Sequence, residues 1–430
     1  MPEYMYSEND VRKMWQRSYG EQIGVAQAKC IEVIMKTEGK LAVSFSGGKD
    51  SAVLLYLMAE IWSSTIYKNE PLQVMFANTT NEFACMTSYV KFYCGYIEQQ
   101  FNIKVNLNMV RGSMNYFQVT DKVGMPFISK KVARMIRDVK RILHNLGLTY
   151  ADIKDILPQH YTDKHHNDML ASAERLRKLG ISNTVILYLT KVTSKNVISQ
   201  QRFLPLQYRP LIDADFELSE ECCKYLKKDP IKYMSKELGK LLPVVGEMAC
   251  DSKDRMTAYR QTGCNMFDGS RPKSKPLGAA TEQTILHFIF DKEIPCSPVY
   301  GKCVYEKETE TYKFTGEQRT GCKMCGFGLK FDPERFVRLQ KYEPNVIKFA
   351  FTSRDRGGLG YGEICKFLNE YCEMNIVIPE IEQGYYEKRA SLYKAKKERD
   401  DNNEKPKVKR RRIRRPNSIL RNERNSEGRI

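Results

Sequence analysis

The sequence predicts an α/β fold built on a doubly wound, mostly parallel sheet, and three stretches carry that prediction. Leu41 to Phe45 is a short apolar run, Ser46-Gly47-Gly48 is a turn, and Ala52 to Trp62 reads as an apolar helix. Pro71 then precedes a second strand, Leu72 to Ala77, which ends in Asn78-Thr79-Thr80-Asn81-Glu82. A third strand is expected at Ile103 to Asn108. A β-α-β order with polar residues at the strand ends is how doubly wound sheets build nucleotide sites.

Around this unit the chain divides by pattern. Val11, Met14, Trp15, Ile23, Ala26, Cys30 and Ile34 have helical spacing and predict a helix over residues 8–38 within an N-terminal segment 1–39. Residues 112–180 read as a mostly helical insertion. In it Lys130, Arg134, Arg137 and Arg141 share one helical face, opposite Val132, Met135, Ile136, Val139 and Leu143. That pattern fits a solvated amphipathic helix, or a basic wall guiding a phosphate-bearing substrate. His160, His165 and His166 lack zinc spacing and are assigned to loops. Val185 to Leu189 and Arg202 to Ile212 look strand-like. Ser219 is placed to cap a helix containing Cys222-Cys223, and Leu242 to Val245 reads as a buried strand ended by Gly246-Glu247. Thr281 to Phe290 is expected to be a helix, and Gly357-Gly358-Leu359-Gly360 a loop opening a helix through Leu368. Past about Glu387 the core-forming periodicity stops, which predicts a disordered basic tail over 387–430.

Bulk composition narrows the setting. A chain of 430 residues can bury a full core and is expected to hold more than one domain. The first forty residues show no signal-peptide core, and no apolar run reaches the roughly 18 residues of a membrane span. A cytoplasmic protein without a membrane partner is therefore expected, its 13 cysteines reduced and either buried or bound to metal. The net charge is +18, and half of that excess lies between Lys394 and Ile430.

The strand–turn–helix at Ser46 to Ser51 is a ready anion site. Backbone N–H groups at a helix N-terminus and the helix dipole favour phosphate, and Gly47 and Gly48 place no Cβ in the way. Ser46 and Ser51 add hydroxyls, Lys49 compensates charge, and Asp50 is placed to hold Mg²⁺ with ATP or to cap the helix. Asn78 and Thr79, at the end of the second strand, are expected to border the nucleotide. The spacing is not that of a Walker A loop, which needs G-x-x-x-x-G-K-[ST]. Ser46-Gly47-Gly48-Lys49-Asp50-Ser51 instead resembles the PP-loop of ATP pyrophosphatases, which act at an α-phosphate.

Cys222-Cys223 is a tandem pair, and Cys322 and Cys325 form a C-x-x-C about a hundred residues later. C-x-x-C is a common metal knuckle, whereas a tandem pair is a poor zinc claw. Such a pair still suits an iron–sulfur cube, whose cysteine ligands bind separate irons. Ser219 as cap places Cys222 in a first helical turn, where the dipole favours thiolate.

With the PP-loop, these cysteines resemble the phosphoadenosine phosphosulfate (PAPS) and adenylylsulfate reductase family over roughly Gly39 to Leu339. Cys222-Cys223 through Pro230 is similar to the family's tandem-cysteine segment. Gly246, Ser252 and Arg255 match its glycine, serine and final arginine, and Ile294-Pro295 and Thr320-Gly321 match the approach to its C-x-x-C. The resemblance implies an adenine nucleotide alpha-hydrolase-like domain over 40–345 with a C-terminal helical extension over 346–386. It also implies a [4Fe-4S] cluster on Cys222, Cys223, Cys322 and Cys325; a rival set would pair Cys250 or Cys264 with the C-x-x-C. Lys49, Asp50 and Arg255 are then the catalytic candidates, and Gly246 joins the nucleotide site.

Departures from the family bear on the reaction. Nothing after Cys372 is a cysteine, whereas the family's reductases carry a catalytic one near the C-terminus. Met248-Ala249 stands where the family has paired arginines; Arg255, Arg271, Lys273 and Lys275 are the cations available to substitute. The tail from Lys405 to Arg415 has eight cations in eleven residues, either a solubilising end or a nucleic-acid tether. Three functions follow. The first is sulfur-related redox or transfer chemistry on PAPS or adenylylsulfate, with a thioredoxin-like reductant or a sulfur donor as partner. The second is ATP-dependent nucleic-acid thiolation, in which adenylylation precedes sulfur transfer, and the third a non-catalytic nucleotide- or nucleic-acid-binding module.

Overall fold

The computed structural model describes residues 4–269 and 272–381; the basic tail lies outside them. The N-terminal segment forms two helices, α1 (Glu8–Trp15) and α2 (Tyr19–Lys36), where one was expected. Ser18 breaks the run by capping α2. Its hydroxyl accepts from the Glu21 N–H, and the Glu21 carboxylate accepts from the Ser18 N–H in return.

The sheet unit follows as β1 (Leu41–Ser44), α3 (Lys49–Trp62), β2 (Leu72–Asn78), α4 (Met86–Phe101) and β3 (Val105–Arg111). The third strand starts two residues later than expected because Asn102 closes α4 in the left-handed region and the Ile103 N–H still bonds back to Glu98. Helix α3 is buried almost all round from Ser51 to Ala59, as an apolar helix covered by several elements must be.

The insertion runs beyond residue 180, up to the next sheet strand. It holds α5 (Tyr116–Val123), β4 (Phe127–Ile128), α6 (Lys130–Asn145), α7 (His166–Lys178), α8 (Asn183–Thr190) and α9 (Asp229–Glu237). Two strand expectations fail here. Val185 to Leu189 lies in α8, where Val185, Ile186, Tyr188 and Leu189 are buried on one helical stripe. Over so short a run, periodicity does not separate strand from helix. Residues Leu206–Ile212 form a 3-10 turn, since Pro205 and Pro210 remove ladder donors. Helix α6 is the expected amphipath, burying Val132, Met135, Ile136, Val139 and Leu143.

The chain then gives β5 (Leu242–Val245), α10 (Lys253–Thr262), β6 (Asn265–Met266), β7 (Lys273–Ser274) and α11 (Glu282–Asp291). A hairpin of β8 (Cys303–Glu306) and β9 (Thr311–Phe314) leads to β10 (Gly326–Phe327). The last helices are α12 (Arg335–Tyr342), α13 (Pro344–Phe351) and α14 (Tyr361–Cys372).

The main sheet has the order β3-β2-β1-β5-β7-β6, parallel except for β6. Val43 pairs with Val74 on one side and Val244 on the other. From β1 the chain winds outward to β3 and then returns to the far side at β5. The order therefore reverses between β1 and β5, and a crevice opens at their C-terminal ends. One core surrounds this sheet and includes Val43, Phe45, Leu55, Phe76 and Tyr93. A second joins the insertion to the C-terminal helices through Ile136, Ile186, Phe336, Tyr361 and Leu368. Residues of the C-terminal extension and of the insertion thus share one apolar interior. Among the described residues, no helix is long and apolar enough to cross a membrane.

Candidate active site

The Ser46–Ser51 loop lies at that crevice. Gly47 has φ +75°, and a Cβ there would collide with the Met86 sulfur, so glycine is required twice over. The loop is braced by its own hydroxyls. Ser46 Oγ accepts from the Gly48 N–H at 3.3 Å, Ser51 Oγ accepts from the Ser46 N–H at 3.2 Å, and Ser51 Oγ donates to the Gly48 carbonyl at 2.9 Å. One donor at the start of α3 is already used: the Lys49 N–H donates to Tyr300 Oη at 2.9 Å. Tyr300 in turn hydrogen-bonds Thr320 Oγ1 at 2.9 Å.

Lys49 points inward, its side chain only 6% exposed, with Nζ 3.3 Å from Asp50 Oδ1 and 3.2 Å from Glu282 Oε1. Burial works against its charge, but Asp50, Tyr300 and Glu282 outweigh that and raise its pKa. Burial also raises the Asp50 carboxyl against the pull of Lys49, and Asp251 adds repulsion. Asp50 Oδ1 is buried without a hydrogen bond, leaving Lys49 as its ionic neighbour. Such an oxygen beside a phosphate pocket fits Mg²⁺, which takes one or two carboxylates and completes its shell with substrate phosphates and water.

The pocket above the loop has a volume of about 320 Å³ and is lined by Ser46, Lys49, Ser51, Gly246, Arg255 and Arg319, among others. Gly246 is needed for close approach, because a Cβ would sit 3.1 Å from the Asp50 backbone carbonyl. A larger cleft of about 840 Å³ shares Ser46, Glu247, Arg255 and Thr320 with this pocket. Its floor includes Phe45, Met75, Ala77 and Pro243, and one rim carries Lys228, Lys232, Lys236 and Lys240.

At the other end of that cleft lies a small pocket lined by Cys222, Cys223, Cys322 and Cys325 together with Thr79, Asn81, Tyr116 and Lys227. Ser219, fully buried, accepts from the Glu221 N–H at 3.0 Å, and the helical turn beginning at Cys222 runs into a π-turn at Lys224–Lys228. The C-x-x-C turn closes with the Cys325 N–H donating to the Cys322 carbonyl at 3.0 Å. Asn81 fixes it from one side, its carbonyl accepting from the Lys323 N–H at 2.7 Å and its Oδ1 from the Met324 N–H at 3.1 Å. From the other side the hydroxyls of Tyr116 and Tyr361, both fully buried, lie 3.1 and 2.6 Å from the Met324 carbonyl and hydrogen-bond each other at 2.6 Å. β10 then pairs in parallel with β4.

The thiols differ in electrostatics. A hydrogen bond from Cys222, helped by Lys130, Lys227 and Lys228, lowers Cys223 to about 6, while the same bond and burial raise Cys222. Burial raises Cys322 and pushes Cys325 up to about 12. Burial disfavours the Lys227 ammonium, yet Cys322, Cys223 and Glu82 hold its pKa up. Among the described residues no three His, Cys, Asp or Glu side chains converge to hold a single metal ion. Four thiols line this one pocket, and thiolate is the donor type that both zinc and iron–sulfur centres take.

Other sequence candidates fall elsewhere. Thr79 lines the thiol pocket, with Oγ1 3.8 Å from the Cys322 sulfur, and its hydroxyl donates to Glu82. Asn78 lines none of these pockets; its Oδ1 accepts from the Thr80 N–H at 2.9 Å. The rival ligands are placed apart: Cys250 bonds the Ala280 carbonyl, and Cys264 lies beside Tyr259 in a separate small core. Of the substitute cations, Arg255 lines the cleft and pairs with Asp251, Lys273 pairs with Glu247 at 2.7 Å, and Lys275 is buried against Thr262. Arg271 lies outside the described residues. On α6 Arg134 and Arg137 pair with Glu220, leaving Lys130 on the cleft. Sequence reasoning missed Tyr300 and Arg319, whose approach to the loop has no local signal. It also missed the Lys228–Lys240 row, which i, i+4 spacing could have revealed.

A family model described as phosphoadenosine phosphosulfate reductase domain matches residues 40–141, from the strand before the loop through most of α6. No curated protein sequence matches the chain. A crystal structure of phosphoadenylyl-sulfate (PAPS) reductase from Candida auris, a phosphate complex, aligns at 11% identity over 68% of this chain and 90% of that one. Its TM-score is 0.31, and at that level the likeness carries no argument about the site.

Proposed function

We propose, from the match of residues 40–141 to the phosphoadenosine phosphosulfate reductase domain, that this chain is an enzyme of adenosine-nucleotide and sulfur chemistry. Its nucleotide phosphates are seated at Ser46 to Ser51 and its sulfur chemistry proceeds beside the cysteine pocket. The carrying observation is that Cys223 and Lys227 line both the thiol pocket and the cleft that ends at the loop. Ser46, Gly47, Gly48 and Ser51 cradle phosphate, while Lys49 and Arg255 offset charge on the leaving nucleotide. Gly246 lets the second wall approach, and Asp50 orients Mg²⁺ when ATP is the ligand. Cys222, Cys223, Cys322 and Cys325 would hold a [4Fe-4S] cluster, which supplies electron-transfer and charge-tuning chemistry at the cleft edge. With a sulfated nucleotide, a thiolate from a thioredoxin-like reductant attacks sulfur. The S–O bond to the phosphate breaks, and the nucleotide leaves with that electron pair on its phosphate oxygen.

A second reading is ATP-dependent nucleic-acid thiolation, and the lysine rim of the cleft favours it. There an acceptor oxygen attacks the α-phosphate and releases pyrophosphate, after which a sulfur donor displaces AMP. Anaerobic purification followed by iron and sulfide analysis and a nucleotide scan tests both. The first reading expects iron and sulfide near stoichiometry with the protein, and nucleotide release from PAPS or adenylylsulfate with thioredoxin. Pyrophosphate release from ATP that depends on added tRNA or DNA selects the second. A colourless zinc protein would remove the cluster, and no turnover with any nucleotide would leave a binding module.

A further inference from the structure

The cleft carries more positive charge than a mononucleotide uses. Lys228 just before α9, Lys232 and Lys236 within it, and Lys240 three residues past its end recur every fourth residue, and all four are exposed and line the cleft. Among the described residues none of them has a carboxylate partner, unlike Arg134, Arg137 and Lys273 nearby. Four unpaired like charges on one edge repel each other, and an anionic occupant relieves that cost more fully than the solvent that screens it.

Position separates the row from the loop. Lys240 stands just before β5, whereas Gly246, which lines the phosphate pocket, follows that strand's other end. A four-residue strand is roughly 13 Å long. A nucleotide anchored at Ser46 and Lys49 can offer a phosphate to one end of the row but not to all of it. From Lys228 through Lys236 each four residues of helix rise about 6 Å, a step comparable with the distance between neighbouring phosphates on one extended strand. The cleft's floor includes the buried Phe45 and Met75 and the half-buried Pro243, an apolar surface beside the row.

We propose that the cleft binds a single-stranded phosphodiester backbone, its phosphates along Lys228, Lys232, Lys236 and Lys240 and its reacting end directed at the Ser46–Ser51 loop. The occupant's class comes from repeat spacing and the apolar floor, which an acidic protein surface does not match. This rests on the loop being a nucleotide seat only for the polarity of the strand, so Lys49→Ala should abolish nucleotide binding and leave strand binding in place.

The test measures binding of short single-stranded DNA and RNA oligonucleotides to the full chain against salt. Two variants are compared: K228Q/K232Q/K236Q/K240Q, and one with the cations of Lys405 to Arg415 neutralised. With four phosphates engaged, affinity should fall about 50-fold between 50 and 200 mM salt in the tail variant. Most of that dependence should vanish when the row changes are added, while nucleotide affinity at the loop stays as it was. The preferred of the two oligonucleotides identifies the natural strand. Unchanged strand affinity in the row variant overturns the proposal, as does an equal loss of mononucleotide affinity, which would assign the row to the nucleotide itself. Equal binding of duplex, or of polyglutamate with the same dependence on the row, also overturns it.

Discussion

The loop and the thiol pocket face one cleft but are built in opposite ways. Ser46 to Ser51 is continuous, and the glycine and hydroxyls that shape it are its own; apart from the bond to Tyr300, its bracing bonds reach no further than five residues. The thiol pocket is assembled. Two cysteines lie late in the long insertion, two precede β10, and Asn81, Tyr116 and Tyr361 from three further segments fix the turn of the C-x-x-C. The loop should therefore tolerate changes in the C-terminal helices, while the thiol pocket should not.

Lys49→Ala should have the largest effect. It removes the buried cation between Asp50 and Glu282 that faces the phosphate pocket. Nucleotide-dependent turnover should fall about 10²–10³-fold, read as AMP or pyrophosphate release, with the iron content of anaerobically purified protein unchanged. A matching loss of iron would break the separation between the two regions. Gly246→Ala comes next, because its Cβ would press on the Asp50 backbone. Thermal unfolding should show a loss of about 1–3 kcal/mol, accompanied by weaker nucleotide affinity. Tyr361→Phe should be smaller, about 1–2 kcal/mol, since Tyr116 remains to donate to the Met324 carbonyl. That variant should speed loss of iron to a chelator while leaving nucleotide affinity alone. Slower loss, or a nucleotide effect instead, would contradict the account.

These contrasts also explain what the sequence shows. The sheet is legible because β1, β2 and β5 are apolar runs followed by polar or glycine-containing turns, and a parallel sheet demands both. The loop is legible because its chemistry sits in six consecutive residues. For the cysteines the sequence offers two spacings but no statement that they share a pocket; the parallel pairing of β4 with β10 and the Met125–Leu218 bridge beside it do that, and no local pattern announces so short a pairing. Tyr300 is invisible for the same reason, since its contact with the Lys49 N–H joins residues 251 positions apart. Val185 to Leu189 misleads because five apolar residues satisfy either periodicity, and packing against α6 and α7 selects the helix.

The central claim is that nucleotide and thiols share one cleft, and alkylation of Cys223 in metal-free protein tests it most directly. Cys223 is held near 6 by Cys222 and the neighbouring lysines, so its thiolate forms above that pH and is lost below it. Its reaction with iodoacetamide should therefore rise through about pH 6, well below the ordinary thiol value of roughly 8.5. Cys325, pushed up to about 12, should stay inert across that range. At pH 7 a saturating adenosine nucleotide should slow alkylation of Cys223 at least several-fold, and Lys49→Ala should remove the protection. A rate indifferent to bound nucleotide would mean that the loop and the thiol pocket do not open on the same space.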